Sequence, residues 1–279
     1  MSIAGGLHNA FDEAVAAGCD CLQIFVKNQR QWTAKPLEDA AIAAYRAAEA
    51  KSGIGPVVAH ATYLINLGSP DAALRGKSVK ALVDELTRCE ALGVSGLVLH
   101  PGAHMGEGEA AGIARIAAAL DEAHRATAGF KTRALLETTA GQGSTVGHQP
   151  AQLGRILEAT AEAQRVGICI DTCHVFAAGY DLRTDEGYGR LMDEMEAACG
   201  LARVACLHVN DSKGDLGSHI DRHDHIGDGK IGRAGFERIL NDPRLAAVPR
   251  ILETPKEDDS GAETMDRVNL SRLRELVGR

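Results

Sequence analysis

The chain has 279 residues, 45% of them hydrophobic and 24% charged, and its formal net charge is -8 at pH 7. This length suits one large domain, since a single (β/α)8 barrel needs about 250 residues. The acidic balance argues against a broad nucleic-acid-binding surface, which usually carries a basic excess. No apolar run approaches the roughly 20 residues that span a bilayer. We therefore expect a single domain over residues 1–279 that does not enter a membrane.

Short apolar runs rich in Val, Ile and Leu alternate with longer Ala-rich segments of helical period. This alternation is typical of parallel βα units. In chain order, the predicted strands lie at 21–27, 56–61, 96–102, 133–138, 166–172, 204–211 and 250–254. The predicted helices lie at 8–17, 38–51, 72–92, 108–127, 150–163, 187–199, 233–240 and 261–278.

The first predicted helix has no strand before it. The chain opens on MSIAGG, a stretch typical of a βα loop, and leads directly into that helix. The sequence therefore predicts an α/β fold, a (β/α)8 TIM barrel that lacks its first strand at the N-terminus.

Most of the predicted strands end in a residue that can bind a metal ion. In a (β/α)8 barrel, the carboxyl ends of the strands converge on the face where active sites are built. Apolar strands often stop at one polar residue by chance, but such endings on six of the seven strands indicate a shared pocket. The six residues are His60, His100, Glu137, Asp171, His208 and Glu253.

Further candidates follow the fifth and sixth predicted strands. His174 lies three residues after Asp171, and Asp221 and His223 form a D-x-H pair. Side chains at i and i+2 of an extended segment point the same way, so both could bind one ion, and spacing alone leaves His225 open. The set exceeds the four ligands of one zinc ion, which favours a cluster of two or three ions. Without cations, the carboxylates would repel one another.

The seven cysteines are scattered, with no C-x-x-C pair and no signal peptide ahead of them. This pattern is typical of a reduced compartment, and we predict a cytoplasmic protein. Cys169 and Cys173 bracket Asp171, but thiolates favour a closed structural zinc site. We interpret both cysteines as packing residues.

Eight stretches together carry a family resemblance over nearly the whole chain. They are FVKNQRQW, HATYLINLGSP, HPGAH, ETTAGQGS, IDTCHVFAAGYDLRT, HVNDSKGDLGS, DRHDHIGDGKIG and ILETP. In this order they resemble the endonuclease IV family of apurinic/apyrimidinic endonucleases, also called deoxyribonuclease IV. The resemblance implies a (β/α)8 barrel that holds three zinc ions.

The resemblance implies nine metal ligands, and it favours His223 over His225. Glu137 is implied to bridge two ions, and we assign the catalytic role to Glu137, Asp171 and Glu253. The implied ligands are His60, His100, Glu137, Asp171, His174, His208, Asp221, His223 and Glu253.

The implied partner is double-stranded DNA with abasic sites. The resemblance implies that Arg30, Tyr63 and Leu64 enter the DNA at the lesion and hold it bent, with the abasic nucleotide turned out of the stack. We expect a monomer with no obligate protein partner. The residues that we expect to contact phosphate are Lys27, Arg30, Lys213 and Arg222.

Two substitutions depart from the family pattern. Thr138 stands where the family often has Asn after the bridging Glu, and we expect a change of local hydrogen bonding. His219 stands where relatives tend to carry Arg or Lys, and we expect a weaker phosphate contact there.

The implied reaction belongs to base excision repair. It hydrolyses the phosphodiester 5′ to an abasic site, leaving a 3′-hydroxyl and a 5′-deoxyribose phosphate, with 3′-end cleaning as a further activity. A sugar isomerase or epimerase is the alternative enzyme, because Glu137, Asp171, His208 and Glu253 alone would suffice for a two-metal sugar site. A metal-stabilised DNA-damage binder without activity is the non-enzymatic alternative. The additional ligands and KNQRQW favour the nuclease.

Overall fold

Helices and parallel strands alternate along the computed structural model, which describes residues 1–257 and 265–278. The strands are β1 (Leu22–Phe25), β2 (Val57–His60), β3 (Gly96–Leu99), β4 (Arg133–Glu137), β5 (Val166–Asp171), β6 (Val204–His208), β7 (Asp211–Ser212), β8 (His223–Asp224) and β9 (Arg250–Ile251). The helices are α1 (Asn9–Ala17), α2 (Asp39–Ser52), α3 (Ala72–Leu92), α4 (Glu109–Ala126), α5 (Pro150–Ala159), α6 (Thr172–Ala177), α7 (Asp185–Cys199), α8 (Gly232–Asn241) and α9 (Met265–Arg274).

The seven predicted strands all form, and in the described residues no strand precedes α1. Strands β2 and β3 are buried at every position, as expected for parallel strands covered on both faces. Local chemistry sets the ends of α3. Asp71 caps its first turn by accepting from the backbone N–H groups of Ala73 and Leu74, and Gly93, with a φ of 78°, ends it in the left-handed conformation.

The described chain divides into two compact units, the first made of 1–137 and 155–167. Its parallel strands follow the order β1-β2-β3-β4, and α1 to α4 pack in sequence beside one another. The rings of Phe11 and Tyr45 meet edge to face at 5.0 Å and join α1 to α2. This arrangement brings the ends of β1, β2, β3 and β4 to one edge of the sheet.

The second unit contains 138–154 and the described residues of 168–279. Its parallel strands follow the order β5-β6-β9, with Asp171 paired to His208 at the strand ends. Strands β7 and β8 form a separate antiparallel pair. Each unit is compact by itself, so the single domain over 1–279 stays a prediction.

The structure differs from the predicted elements in several places, among them the antiparallel pair of β7 and β8, which was not predicted. Helix α6 was not predicted, because six residues are too few to show a helical period. Helix α5 ends at Ala159, and a short 3-10 helix occupies Ala163–Arg165. The last predicted helix forms at Met265–Arg274, and its first predicted residues, 261–264, lie outside the described residues. Within the described ranges, no helix is long and apolar enough to cross a membrane.

Candidate metal centre

His60, His100 and Glu137 form one group of potential ligands at the ends of β2, β3 and β4. Nε2 of His60 and Nε2 of His100 each lie 3.2 Å from Oε2 of Glu137. Glu137 is fully buried, His60 nearly so, and His100 is half-buried. The ligand atoms of the three residues lie within 4.8 Å of one another, which is close enough to share an ion.

The hydrogen bond between His60 and the backbone of Ala61 determines the tautomer of the ring, and so whether the nitrogen that faces Glu137 carries a proton. Nδ1 of His60 lies 2.7 Å from the carbonyl oxygen of Ala61 and must donate to it, because a carbonyl can only accept. In the neutral ring, Nε2 then presents a lone pair to a carboxylate oxygen. Two lone pairs repel unless a proton or a cation lies between them. Backbone carbonyls fix ligand imidazoles in this way at metal sites.

A second group forms around Asp171, His174 and Asp221 in the second unit. Asp171 caps α6 by accepting from the backbone N–H of His174 at 2.8 Å. Nδ1 of His174 donates to the carbonyl oxygen of Thr138 at 2.8 Å, and its Nε2 faces Oδ1 of Asp221 at 3.1 Å. The hydroxyl of Thr138 also accepts from the backbone N–H of Asp171 at 2.9 Å. Thr138 therefore orients both residues from its own backbone and side chain.

His223 completes this group from strand β8. Its Nδ1 donates to the carbonyl oxygen of Glu253 at 3.1 Å. Its Nε2 lies 3.3 Å from Oδ1 of Asp221 and 3.7 Å from Oδ2 of Asp171. By contrast, Nδ1 of His225 lies 3.2 Å from the side-chain amide of Asn269. The structure brings His223, and not His225, to the other ligands.

His208 and Glu253 lie beside Asp171 in the same unit. Nδ1 of His208 is 3.1 Å from Oε2 of Glu253 and 3.8 Å from Oδ2 of Asp171. Asn210, which was not predicted, joins Asp171 to Glu253. Its amide donates to Oδ2 of Asp171 at 2.7 Å, and its Oδ1 accepts from the backbone N–H of Glu253 at 2.7 Å. Its place two residues after His208, with the same parity, was the signal that could have identified it.

The electrostatics of the second group fit a bound cation. Burial alone would raise the pKa of Asp221, but hydrogen bonds from His174 and His223 hold it well below its usual range. Burial alone would lower the pKa of His223, but the carboxylates of Asp171, Asp221 and Glu253 raise it to about 9. In metal-stripped protein, a proton on His223 can therefore take the place of a cation.

Both groups consist of imidazole nitrogens and carboxylate oxygens, the donors that zinc takes in sites with an exchangeable position. Cys173 also lies within 4.8 Å of Asp221 and His223. Its thiol, however, hydrogen-bonds to the carbonyl oxygen of Arg222 at 3.7 Å, and burial raises its pKa to about 12. Burial likewise raises the pKa of Cys169. These features favour packing roles for the two cysteines.

The residues expected to enter DNA follow β1 and β2. Arg30 is exposed, Tyr63 is 59% exposed, and Leu64 is half-buried. The ring of Tyr63 lies 5.0 Å from that of His60, so the first ligand group and the exposed aromatic are neighbours.

Of the expected phosphate contacts, Arg30, Lys213 and Arg222 are exposed. The expectation for Lys27 is wrong, because its side chain is only 1% exposed and ion-paired to Glu85. His219 turns its Nδ1 to the carbonyl oxygen of Ala140 at 2.9 Å.

The raised pKa of His223 predicts a pH-dependent stability of the metal-stripped protein. A folded-state pKa of about 9 against an ordinary 6.5 stabilises the fold fully below pH 6.5, and this stabilisation is lost as the pH rises through about 9. Urea unfolding of chelator-treated protein should show this decline, and His223→Gln should flatten it. His8→Gln is the control that should retain the slope. A wild-type profile that does not fall over this interval would contradict the assignment.

The bonds of Asn210 predict that Asn210→Asp weakens metal binding. The substitution replaces the amide that donates to Asp171 with a second carboxylate, so the two groups repel. We expect zinc affinity, measured by competition with a chelator, to fall about 10- to 100-fold, the usual effect of losing such a partner. Asn269→Asp alters an equally buried amide that bonds Ile226 and Thr254, and should leave zinc affinity unchanged. Equal losses in both variants would mean that Asn210 acts only through stability.

A family model described as "Xylose isomerase-like TIM barrel" matches residues 11–276 of this chain. A "Probable endonuclease 4" of Chloroflexus aurantiacus is 50% identical over 277 residues, which cover 99% of this chain and 96% of the relative. A "Probable endonuclease 4" of Nitratidesulfovibrio vulgaris is 50% identical over 279 residues, which cover 100% and 98%. These matches confirm the predicted α/β TIM-barrel fold class.

Solved structures agree with these matches. Endonuclease IV from Thermus thermophilus superposes with a TM-score of 0.86 at 38% identity, covering 99% of this chain and 96% of that one. A D-tagatose 3-epimerase-like protein superposes with a TM-score of 0.74 over 99% of this chain and 96% of that one. Its 16% identity shows the fold alone. From the family model and the full-length relatives, the chain belongs to the endonuclease IV family of TIM-barrel nucleases.

Proposed function

We propose that this nuclease binds three zinc ions and hydrolyses the phosphodiester 5′ to abasic sites in double-stranded DNA. The products would be a 3′-hydroxyl and a 5′-deoxyribose phosphate, and blocked 3′ ends would also be cleaned. One observation carries the proposal. The chain belongs to the endonuclease IV family, and three of its imidazoles share one arrangement. In His60, His174 and His223, Nδ1 donates to a backbone carbonyl and Nε2 faces a carboxylate.

The ligand groups support an assignment of the ions. His60, His100 and Glu137 would hold one ion, and His174, Asp221 and His223 another. The further ion would be held by Asp171, His208 and Glu253. Bound zinc supplies Lewis acidity and lowers the pKa of water to about 7, so that a nucleophile is available at neutral pH.

The protein's own contribution is to orient the catalytic carboxylates. Glu137 is fully buried and faces two imidazoles, so its carboxylate is held in one direction, as positioning a water for in-line attack on the phosphorus requires. Asn210 holds Asp171 through its carboxylate and Glu253 through its backbone. No separate side-chain base is required. The imidazoles must be neutral to bind metal, so binding releases protons.

Binding to DNA would rest on a local positive centre and not on net charge. Three divalent ions would offset most of the formal charge of -8, and they would lie where the DNA backbone must bind. Arg30 and Tyr63 are exposed, as insertion at a lesion requires. Affinity for DNA should therefore fall as salt rises.

Membership of the endonuclease IV family decides against the sugar isomerase alternative. The non-enzymatic alternative, a metal-stabilised DNA-damage binder, differs from the nuclease only in that it would not cut an abasic duplex. A cytoplasmic monomer with no obligate protein partner remains part of the proposal, and all seven cysteines are free thiols, as a reduced compartment would require.

The proposal is tested by measuring bound metal and nicking on one sample. Three zinc ions per chain and a single nick 5′ to an abasic analogue are expected. Glu137→Gln removes the carboxylate charge but keeps the shape, so it should bind the damaged duplex while cutting at least about a hundredfold more slowly, as when a preorganised electrostatic group is lost. Wild-type protein with fewer than two zinc ions and no nicking would contradict the proposal, as would full cutting by Glu137→Gln.

His174 and Cys173 provide a matched pair of substitutions one residue apart. His174→Ala removes a ligand nitrogen and should lose one zinc ion per chain with most of the nicking activity. Cys173→Ala removes a thiol that hydrogen-bonds to a backbone carbonyl and should keep the metal and most activity. Metal content by plasma emission and single-turnover nicking check both. The reverse order of effects would mean that the thiol is the ligand.

A further inference from the structure

A buried ion pair lies beneath the two loops that carry the proposed DNA-entering residues. Nζ of Lys27 lies 3.2 Å from Oε1 of Glu85, and each side chain is only 1% exposed. Nζ also donates to Oδ2 of Asp84 at 3.2 Å. Lys27 follows β1, whereas Asp84 and Glu85 belong to α3. The pair therefore ties the chain after β1 to the third helix.

The first loop, residues 26–38, is held at its backbone carbonyls. Lys27 donates to the carbonyl oxygen of Trp32 at 3.0 Å. Arg88 of α3 donates to the carbonyl oxygens of Ala34 at 3.2 Å and Lys35 at 2.7 Å. These bonds lie on the C-terminal side of Arg30, and Lys27 lies on its N-terminal side. The exposed arginine is therefore carried by a segment that is fastened at both ends.

The second loop, residues 61–71, is held by the same helix. The backbone N–H of Thr62 donates to Oε2 of Glu85 at 3.1 Å. The hydroxyl of Thr62 donates to the carbonyl oxygen of Gln29 at 2.5 Å, which joins the second loop directly to the first. Tyr63 is the next residue and is 59% exposed. The two proposed insertion residues thus rest on adjacent, mutually bonded positions.

Stability alone is a weak reason for such a pair. A buried ion pair is often no more stabilising than apolar residues of similar volume. Apolar residues at Lys27 and Glu85 would, however, leave the carbonyl of Trp32 and the N–H of Thr62 without these partners. The function of the pair is then to fix geometry. A loop already held in its bound conformation avoids the entropy loss of ordering on binding.

We propose that the Lys27–Glu85 pair is a positioning element that sets Arg30 and Tyr63 in one fixed relation before DNA binds, and thereby determines discrimination between abasic and intact duplexes. This inference rests on the proposed function. Neither residue touches DNA or metal in this proposal. An intact duplex, which offers no gap for insertion, should bind with little dependence on the pair.

The test replaces both charges together, so that no unpaired charge stays buried. The variant carries Lys27→Met and Glu85→Met. The loss of buried hydrogen bonds to charged groups should raise KM and Kd for a duplex with an abasic analogue about tenfold. Zinc content, kcat at saturating substrate and Kd for the intact duplex should stay within about twofold, since the variant changes only the support of the loops.

A second readout needs no DNA and no activity. The amide of Thr62 should exchange with deuterium about tenfold faster in the double variant, because its acceptor is gone. Lys27→Met with Glu85→Gln restores an acceptor for Thr62 and should return its exchange toward wild type while leaving the first loop loosened. Arg165→Met is the control, since Arg165 is a buried cation that bonds His124 and Thr127 and touches neither loop. It should change neither discrimination nor Thr62 exchange.

The outcomes separate this inference from the proposed function. A folded double variant with wild-type discrimination overturns the inference, and so does an equal loss of affinity for both duplexes. Unchanged Thr62 exchange in that variant also overturns it. If wild-type protein fails to nick the abasic duplex, the proposed function fails, whereas Thr62 exchange still reports on the anchoring of the loops.

Discussion

At the strand ends, imidazole nitrogens face the oxygens of buried carboxylates, and both atoms carry lone pairs. The repulsion between these lone pairs is the constraint on which the rest of the structure depends. Glu137 and Asp171 are fully buried, and imidazole nitrogens face the oxygens around them within 4 Å. Carboxylates in such surroundings must pair with cations or take up protons. The carboxylates of Asp171, Asp221 and Glu253 raise the pKa of His223 to about 9, so a proton on this imidazole can fill that role. The strand ends are therefore built for a positive charge that the chain does not itself supply.

The backbone decides which nitrogen of each ring is available. Carbonyl groups of Ala61, Thr138 and Glu253 each accept from an Nδ1 and leave Nε2 for the ion. These carbonyls lie at or just beyond the ends of β2, β4 and β9, where the sheet no longer requires them. The chain at the strand ends thus provides the carbonyls that select the tautomer of these imidazoles, which couples the fold to the chemistry.

The grouping of candidate ligands at the strand ends could be predicted from the sequence, because parallel strands bring their carboxyl ends to one edge of a sheet. His223 could not be separated from His225 by spacing, since both have the same parity, and the pairing of Ser212 with His223 was invisible. Helix α6 was missed, yet it turns His174 toward Asp221. Asn210 is an ordinary polar residue until its two partners, far away in the chain, are known.

Lys27 shows most clearly why the exposure of a charged side chain cannot be predicted from the sequence and depends on tertiary structure. Lys27 and Arg30 lie three residues apart in the motif KNQRQW, next to the proposed DNA site. From the sequence, both are cations that could contact phosphate. Glu85, 58 positions further along the chain, pairs with Lys27 in the interior, while Arg30 stays exposed. A charge that is exposed can contact phosphate, and one that is buried can only fix geometry. Under the proposed function, affinity for a polyanion would come from the bound metal and the exposed cations, whereas selectivity for a lesion would come from how rigidly the loops are held.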